Sequence, residues 1–231
     1  MAAGKGERMR PVTDTTPKPM IEVNCKRMIE TVIDGLIANG ITDINIVTGY
    51  LGDKFRVLGQ KYPDIRFIDN PLYDTCNNIS SLFAARDLLD RDVIITDADQ
   101  IIYNNNILAP EFDRSGYNAV RVDKETDEWV MTVDNGIVTS CSRTGGTTGW
   151  QLYSISRWSE CDARTLKELV TMEFAERGNR DVYWDDIPMF LHPDLFTLGI
   201  REMNRGDIEE IDSFEELIKI DSKYCEYKGE L

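Results

Sequence analysis

The stretch AAGKGERMRPVTDTTPKPM, residues 2–20, is the part of this sequence that is most informative about the fold and the function. Gly4 and Gly6 let the backbone turn tightly and present bare N–H groups, which suit phosphate oxygens. Arg8 and Lys18 add cationic donors for a polyphosphate. No GKS or GKT follows, and a methionine stands where GxGxxG needs glycine, so neither a P-loop nor a dinucleotide fingerprint is present. If only its content of glycine and arginine is considered, the stretch would be interpreted as a surface loop. If the residues are taken as one spaced pattern, GxGxRxRPxTxxxPK, that pattern is specific, and in this sequence it is complete.

The composition is that of a soluble globular protein with a strongly acidic surface. The chain has 231 residues, of which 42% are hydrophobic and 29% charged, and its net charge is −15. Such a surface repels nucleic acids and anionic membranes, so we expect neither as a partner. Residues 1–27 nevertheless hold six basic side chains against three acidic ones. This local excess indicates either a focused anion site or a solvated basic surface.

The cysteines and histidines restrict the chemistry. Five cysteines are scattered without a CxxC pair, which argues against a disulfide framework or a zinc site and favours a cytoplasmic protein with reduced thiols. A single histidine excludes most histidine-dependent triads. If the protein is an enzyme, we expect it to use carboxylates, arginine, lysine and a bound metal.

Short β-rich runs alternate with helical patterns in the first half, which predicts parallel βαβ units in a three-layer α/β/α sandwich. The predicted elements are a helix over Met28–Ala38, a strand over Ile44–Thr48, a helix over 54–60, a strand over Ile65–Ile68, a helix over Asn78–Leu89 and a strand over Val93–Thr96. The second half is predicted to be rich in antiparallel strands, which cover residues 129–133, 137–142, 150–155 and 195–200. Its predicted helices cover residues 161–176 and 214–220. Asn135-Gly136 predicts a type I′ hairpin turn. We expect one domain over residues 1–231 with a mixed sheet.

Two groups of side chains could carry chemistry. Asp97 and Asp99 directly follow a predicted strand, where carboxylates suit Mg²⁺, although acidic residues also form simple turns. Trp129 and the Tyr183-Trp184 pair lie among acidic neighbours and could hold a quaternary ammonium by cation–π attraction. The alternative is that these aromatic residues belong to the core.

Residues 2–20 resemble the signature loop of the nucleotidyltransferases that activate sugar phosphates and related phosphomonoesters. Five later motifs are similar to one branch, the bacterial CTP:phosphocholine cytidylyltransferases of the LicC type. These motifs are Asn77-Asn78-Ile79-Ser80-Ser81, Asp97-Ala98-Asp99, Thr126-Asp127-Glu128-Trp129, Asp181-Val182-Tyr183-Trp184-Asp185 and Glu210-Ile211-Asp212-Ser213. The family has a buried strand before its loop that this chain, beginning at Met1, does not supply, so we expect the sheet to lack that member.

The resemblance implies a Rossmann-like nucleotidyltransferase fold whose N-terminal half binds the nucleotide and whose C-terminal half binds the acceptor. It implies transfer from CTP to phosphocholine with Mg²⁺ as cofactor. The catalytic residues would be Arg8 and Lys18, and the metal ligands Asp99 and Asp212. The nucleotide would contact Ala2, Ala3, Gly4, Gly6, Asn77, Asn78 and Ser81, supported by Asp97. The acceptor would contact Trp129, Tyr183, Trp184 and Asp185.

Other functions stay open at this point. A sugar-1-phosphate or aminoethylphosphonate nucleotidylyltransferase would use the same loop. A non-catalytic, nucleotide-sensing subunit would keep the fold, but Arg8, Lys18, Asp99 and Asp212 are all present, which favours catalysis. The oligomeric state does not follow from the sequence.

Overall fold

A computed structural model describes residues 1–230, and the chain divides into two units assembled from separate stretches of sequence. The first unit contains residues 1–76, 97–109 and the C-terminal part from Gly206 onward. The second unit contains residues 77–96 and 110–205. The single domain expected from the sequence stays a prediction.

Most strands of residues 1–230 are short. They are β1 (Glu22–Val23), β2 (Lys26–Arg27), β3 (Asn45–Thr48), β4 (Arg66–Asp69), β5 (Val93–Thr96), β6 (Gln100–Ile102), β7 (Gly116–Arg121), β8 (Val130–Asp134), β9 (Ile137–Ser142), β10 (Trp150–Trp158), β11 (Gly199–Glu202) and β12 (Ile208–Glu210). The α-helices are α1 (Met28–Ala38), α2 (Leu58–Lys61), α3 (Ile79–Ala84), α4 (Glu160–Thr171) and α5 (Phe214–Ile220). Two π-helical turns cover Met172–Glu176 and Ile187–Leu191.

The second unit is built on a six-stranded mixed sheet in the order β5-β10-β7-β11-β9-β8. Strands β7 and β11 run parallel, and the other described pairings of this sheet are antiparallel. The expectation of an antiparallel-rich second half is therefore confirmed. Between β8 and β9, Asn135 and Gly136 have φ values of 47° and 78°. These positive angles are what the predicted type I′ turn requires.

In the first unit, β3 and β4 form a parallel pair. The start of residues 2–20, which we call the glycine loop, is bound to this pair. Ala2 forms a parallel bridge with Thr48, and its N–H donates to the Val47 carbonyl at 2.8 Å. The Met1 carbonyl accepts a hydrogen bond of 3.0 Å from the Ala98 N–H. These contacts fix the entrance of the loop beside β3 and beside the turn that contains Asp99.

A buried apolar cluster in the first unit joins the loop to α5. Its members are Met9, Val12, Ile21, Val23, Met28, Ile101, Ile211, Phe214, Leu217 and Tyr224. Met9 and Val12 come from the loop, whereas Ile211 and Phe214 flank Asp212 in sequence. Burial of these side chains provides the driving force that brings two distant stretches together. It places Asp212 beside the loop.

Several predicted elements have the bounds found in the structure, namely α1, β5, β9 and α5. Others differ at their ends. The predicted helix 161–176 becomes α4 followed by the π-helical turn, and the predicted helix 78–89 becomes α3 followed by a 3₁₀ turn over Arg86–Leu88. The predicted strand 195–200 is found as β11, which begins only at Gly199, after a 3₁₀ turn over Pro193–Leu195. Among the described residues, none of the helices has the length and apolarity needed to cross a membrane.

Candidate active site

The glycine loop folds back on itself at Gly6. This residue has a φ of 63°, and a Cβ placed on it would lie 2.9 Å from the Lys18 Cβ and 3.2 Å from the Thr13 methyl. The position therefore requires glycine, for both its backbone angle and its lack of a side chain. The Gly6 carbonyl accepts a hydrogen bond of 2.9 Å from the Thr13 hydroxyl. The turn brings Lys18 back beneath the glycines.

Among the residues whose backbone is predicted to bind the nucleotide, some are hydrogen-bonded to neighbouring segments and others are exposed. The N–H of Ala2 bonds to β3, and the carbonyl of buried Ala3 accepts from the Tyr50 N–H at 3.0 Å. Gly4, by contrast, is exposed, with nothing within 4 Å of a Cβ placed on it. Ala2 and Ala3 thus anchor the loop, and Gly4 offers open backbone.

Lys18 lies between the two carboxylates that the sequence assigned to a metal. Its buried ammonium Nζ is 2.7 Å from Asp212 Oδ1 and 2.8 Å from Asp99 Oδ2. Burial alone would lower the pKa of Lys18, but the two carboxylates raise it overall, so the ammonium stays charged. Burial would likewise raise the pKa of Asp99, yet the Lys18 charge holds it below its usual value. Three residues far apart in sequence thus form one charged centre.

Arg8 adds a second cation at the edge of this centre. Its guanidinium Nη2 lies 3.4 Å from Asp212 Oδ1, and 73% of its side chain is exposed. An exposed guanidinium can move to meet an incoming phosphate, whereas buried Lys18 is fixed in place. The structure therefore brings together all four residues predicted for catalysis and metal binding: Arg8, Lys18, Asp99 and Asp212.

The donor set of this centre fits Mg²⁺. Asp99 and Asp212 both direct an oxygen at one small cation, the Lys18 ammonium. Among the side chains that the structure describes, those of residues 1–227, no group of three or more metal-ligating residues occurs. Mg²⁺ is commonly held by one or two carboxylates, with water and substrate phosphates completing its octahedron. Asp99 and Asp212, which lie beside the glycine loop, supply the two carboxylates of such a site.

In the second unit, the two asparagines of the NNISS motif hold the segment 180–184. The Asn77 N–H donates to the Arg180 carbonyl at 2.7 Å, and Asn78 Oδ1 accepts from the Trp184 N–H at 2.8 Å. Asn78 is the N-cap residue of α3, but its side chain makes no capping bond. Ser81 is buried in that helix. The sequence did not reveal this anchoring role, and nucleotide contact by these three residues stays a prediction.

Trp129 and Tyr183 meet in the second unit, as a shared acceptor site requires. Their ring centroids lie 5.8 Å apart in an edge-to-face arrangement, and Tyr183 is 48% exposed. Phe190 joins them, with its ring 5.4 Å from that of Trp129. We call Trp129, Tyr183 and Phe190 the aromatic cluster. Phe190, in a π-helical turn, was missed because nothing in its local sequence marks it.

The aromatic cluster already accepts a cation. The Arg143 guanidinium lies 3.9 Å from the centroid of Phe190 and 5.7 Å from that of Trp129. Its Nε donates to Asp186 Oδ1 at 2.9 Å, and that carboxylate is almost fully buried. Asp186 is one of the acidic neighbours that the sequence places beside Tyr183 and Trp184. Arg143 was not predicted, because it lies in a loop that carries no motif and meets Asp186 only through tertiary packing.

Trp184 differs from the expected acceptor contact, whereas acceptor contact by Asp185 stays a prediction. Trp184 is 2% exposed, and its ring packs 6.1 Å from Tyr117 and 5.9 Å from Trp158. We therefore correct its assignment from a substrate-binding residue to a core residue. Asp185 lies beside buried Tyr117, whose pKa rises well above its usual value through burial and this neighbouring charge. Of the YWD motif, Tyr183 is the residue with an exposed ring.

Comparisons with known proteins identify the family and the fold of the chain. The sequence profile of the nucleotidyl transferase family matches residues 1–108. The chain is 36% identical to a 2-aminoethylphosphonate cytidylyltransferase of Lancefieldella rimae, over 97% of this chain and 91% of that protein. It is 31% identical to a choline-phosphate cytidylyltransferase of Streptococcus pneumoniae, over 96% and 95%. The solved structure of the S. pneumoniae CTP:phosphocholine cytidylyltransferase LicC superposes with a TM-score of 0.88 at 30% identity, covering 96% of each chain. The mixed α/β nucleotidyltransferase fold is thereby confirmed.

Proposed function

Because this chain belongs to the nucleotidyltransferase family, among its cytidylyltransferases, we propose that it transfers the cytidylyl group of CTP to phosphocholine and releases pyrophosphate. The single observation that supports this acceptor is the aromatic cluster, which is partly exposed and carries a cation. Enzyme and cytidylyltransferase class come from the family. The acceptor and the dependence on Mg²⁺ belong to the proposal.

The acceptor can serve as its own nucleophile. The second pKa of a phosphomonoester is about 6, so its phosphate is largely dianionic near neutral pH. One of its oxygens attacks the α-phosphorus of CTP, the bond to the β-phosphate oxygen breaks, and pyrophosphate leaves with the electron pair. No general base is needed. Catalysis then depends on positioning and on neutralising the negative charge that gathers on the phosphates.

Lys18 and Arg8 would provide the protein's share of that neutralisation. Lys18 is held at a fixed place by Asp99 and Asp212, so its charge needs no reorganisation when the transition state forms. Arg8 can reach phosphate oxygens from the exposed edge of the loop. Asp99 and Asp212 would hold Mg²⁺, which when bound orients and polarises the phosphates.

The acceptor cation would be selected by the aromatic cluster. A trimethylammonium group has no N–H, so it is recognised by aromatic faces and a nearby carboxylate rather than by hydrogen bonds. Trp129 and Phe190 already take the guanidinium of Arg143, with Asp186 as its counter-charge. The cluster therefore has the chemistry that phosphocholine requires.

A second candidate acceptor is 2-aminoethylphosphonate. The observation that favours it is the 36% identity to a cytidylyltransferase of that specificity over nearly the whole chain. Its primary ammonium has three N–H donors, which carboxylates and carbonyl oxygens would accept. Aromatic faces would contribute less to its selection than to that of phosphocholine.

The test measures pyrophosphate release. CTP, UTP, dTTP and GTP are each combined with phosphocholine, phosphoethanolamine, 2-aminoethylphosphonate and glucose 1-phosphate, with and without Mg²⁺. We expect CTP with phosphocholine to give the highest kcat/KM, and only with Mg²⁺. A higher kcat/KM with 2-aminoethylphosphonate would replace the proposed acceptor with the second candidate.

Trp129→Leu tests the aromatic cluster directly. A cation–π contact is worth up to roughly 2 kcal/mol, about thirtyfold in affinity. We expect KM for phosphocholine to rise by about tenfold to thirtyfold, with little change in KM for CTP. Trp150→Leu is the matched control, because Trp150 is also half-buried in the second unit but is not part of the cluster. An equal rise in both KM values for Trp129→Leu would show a general packing role.

A further inference from the structure

A second concentration of arginines lies at one end of the six-stranded sheet. Arg114, Arg157 and Arg201 line a cavity of about 540 Å³ together with Glu111 and Asp113. We call it the arginine cavity. Three guanidinium groups against two carboxylates give a local positive excess in a chain of net charge −15. The volume lies within the range of small-molecule sites.

The two inner arginines are fixed by the fold. Arg157 is 2% exposed, and its Nη1 donates to the side-chain oxygen of buried Asn118 at 2.6 Å. Arg201 donates to the backbone carbonyl of Glu111. Burial, followed by the charge of Arg201, lowers the pKa of Arg157 to about 10. Two like charges thus lie near each other, and the Glu111 carboxylate, which raises the pKa of both arginines, offsets the lowering only in part.

Glycines form the floor of the arginine cavity. Gly116, Gly136 and Gly199 all line it, and a Cβ placed on Gly136 would have nothing within 4 Å. A Cβ placed on Gly199 would lie 2.8 Å from the Cγ and Cδ of Arg114. The absence of that atom lets the Arg114 side chain lie across the floor. Bare backbone beneath arginine walls leaves room for a tetrahedral oxyanion.

The residues that line the arginine cavity do not include Trp129, Tyr183 or Phe190 of the aromatic cluster. Tyr117 lines the cavity and also belongs to the core, where its ring packs against Trp158 and Trp184. Arg157 precedes Trp158 on β10, so the two side chains point to opposite faces of the sheet, and Arg157 bonds to Asn118. The arginine cavity is therefore distinct from the aromatic cluster.

We propose that the arginine cavity is a second anion site, which binds the phosphate group of a small phosphorylated molecule. Guanidinium groups present paired N–H donors that match phosphate oxygens, and they stay charged at physiological pH. Arg157 and Arg201 supply the fixed donors. Arg114, which is exposed and lies across the floor at Gly199, supplies a third cation that solvent can reach.

Isothermal titration calorimetry with inorganic phosphate tests the site, at an ionic strength kept constant with sodium chloride. The full chain carries Lys18→Met throughout, which removes the buried cation of the glycine loop from phosphate binding. Into this background we introduce Arg114→Glu, and Arg91→Glu as the matched control. Both arginines are exposed and belong to the second unit, so neither change should prevent folding.

We expect Arg114→Glu to weaken phosphate binding at least about tenfold, because it replaces an attractive charge with a repulsive one. Arg91→Glu should leave the Kd within about twofold. Arg201→Lys, which keeps the charge but loses the paired donors, should give an intermediate Kd. Equal Kd values for Arg114→Glu and Arg91→Glu would overturn the proposal, and so would the absence of phosphate binding to the Lys18→Met protein. Acetate bound as tightly as phosphate would overturn the phosphate class.

Discussion

Lys18→Met removes the cation at the centre of the candidate active site while keeping a side chain of similar length. The ammonium makes two charge-assisted hydrogen bonds, of 2.7 Å to Asp212 and 2.8 Å to Asp99. Each such bond typically contributes about 1.5–3 kcal/mol. The Asp99 and Asp212 side chains are 31% and 34% exposed, so water can partly solvate them after the change. We therefore expect the free energy of unfolding to fall by about 2–3 kcal/mol rather than by the full sum.

The same substitution should affect catalysis through the loss of a fixed charge at the reacting phosphates. Removing one preorganised donor of this kind typically costs about 3 kcal/mol of transition-state stabilisation, roughly a hundredfold in kcat/KM. Urea denaturation measures the stability, and pyrophosphate release measures kcat/KM. Lys5→Met is the matched control, because Lys5 belongs to the same loop but pairs with Asp74 at the exposed surface. Lys5→Met should change the free energy of unfolding and kcat/KM only a little.

Two outcomes would refute this reasoning. If Lys18→Met and Lys5→Met lowered the free energy of unfolding equally, the ion pairs of Lys18 would add nothing beyond a surface pair. If they lowered kcat/KM equally, the loop would act through its general positive charge and Lys18 would have no special position.

The remaining predictions concern the metal, the core and one tyrosine. Asp99→Asn and Asp212→Asn should each remove most turnover while circular dichroism stays native; near-normal rates at limiting Mg²⁺ would contradict the metal assignment. Trp184→Ala should lower the free energy of unfolding by about 3–5 kcal/mol, as expected for a large buried aromatic residue, and a much smaller loss in urea denaturation would contradict its core position. Burial, together with a hydrogen bond to Asp34, raises the pKa of Tyr62 to about 12 from 10.0. The stability that this neutral hydroxyl contributes is complete below pH 10 and is lost as the pH rises towards 12. The stability difference between Tyr62→Phe and the parent should therefore shrink over that interval in urea titrations, and a constant difference would exclude this linkage.

The sequence determined those elements whose signals are local. The helical pattern predicted a helix over Met28–Ala38, and the Asn135-Gly136 pair predicted a hairpin turn; the structure has both. Both depend on contacts between residues a few positions apart, so the local pattern is sufficient. The spaced loop 2–20, which resembles the signature loop of the family, was enough to identify the family whose profile matches residues 1–108.

Only the tertiary structure decided how distant side chains combine. Lys18 meets Asp99 and Asp212 because the loop and α5 share one buried cluster. In that cluster, Met9 and Val12 of the loop are buried together with Ile211 and Phe214, which lie on either side of Asp212 in sequence. Arg143 and Phe190 join Trp129 without any local motif. Tyr183 and Trp184 are adjacent in one motif but lie in different environments. Tyr183 is 48% exposed, whereas Trp184 is only 2% exposed. Such outcomes depend on the burial summed over many side chains from separate segments, which no short stretch of sequence contains.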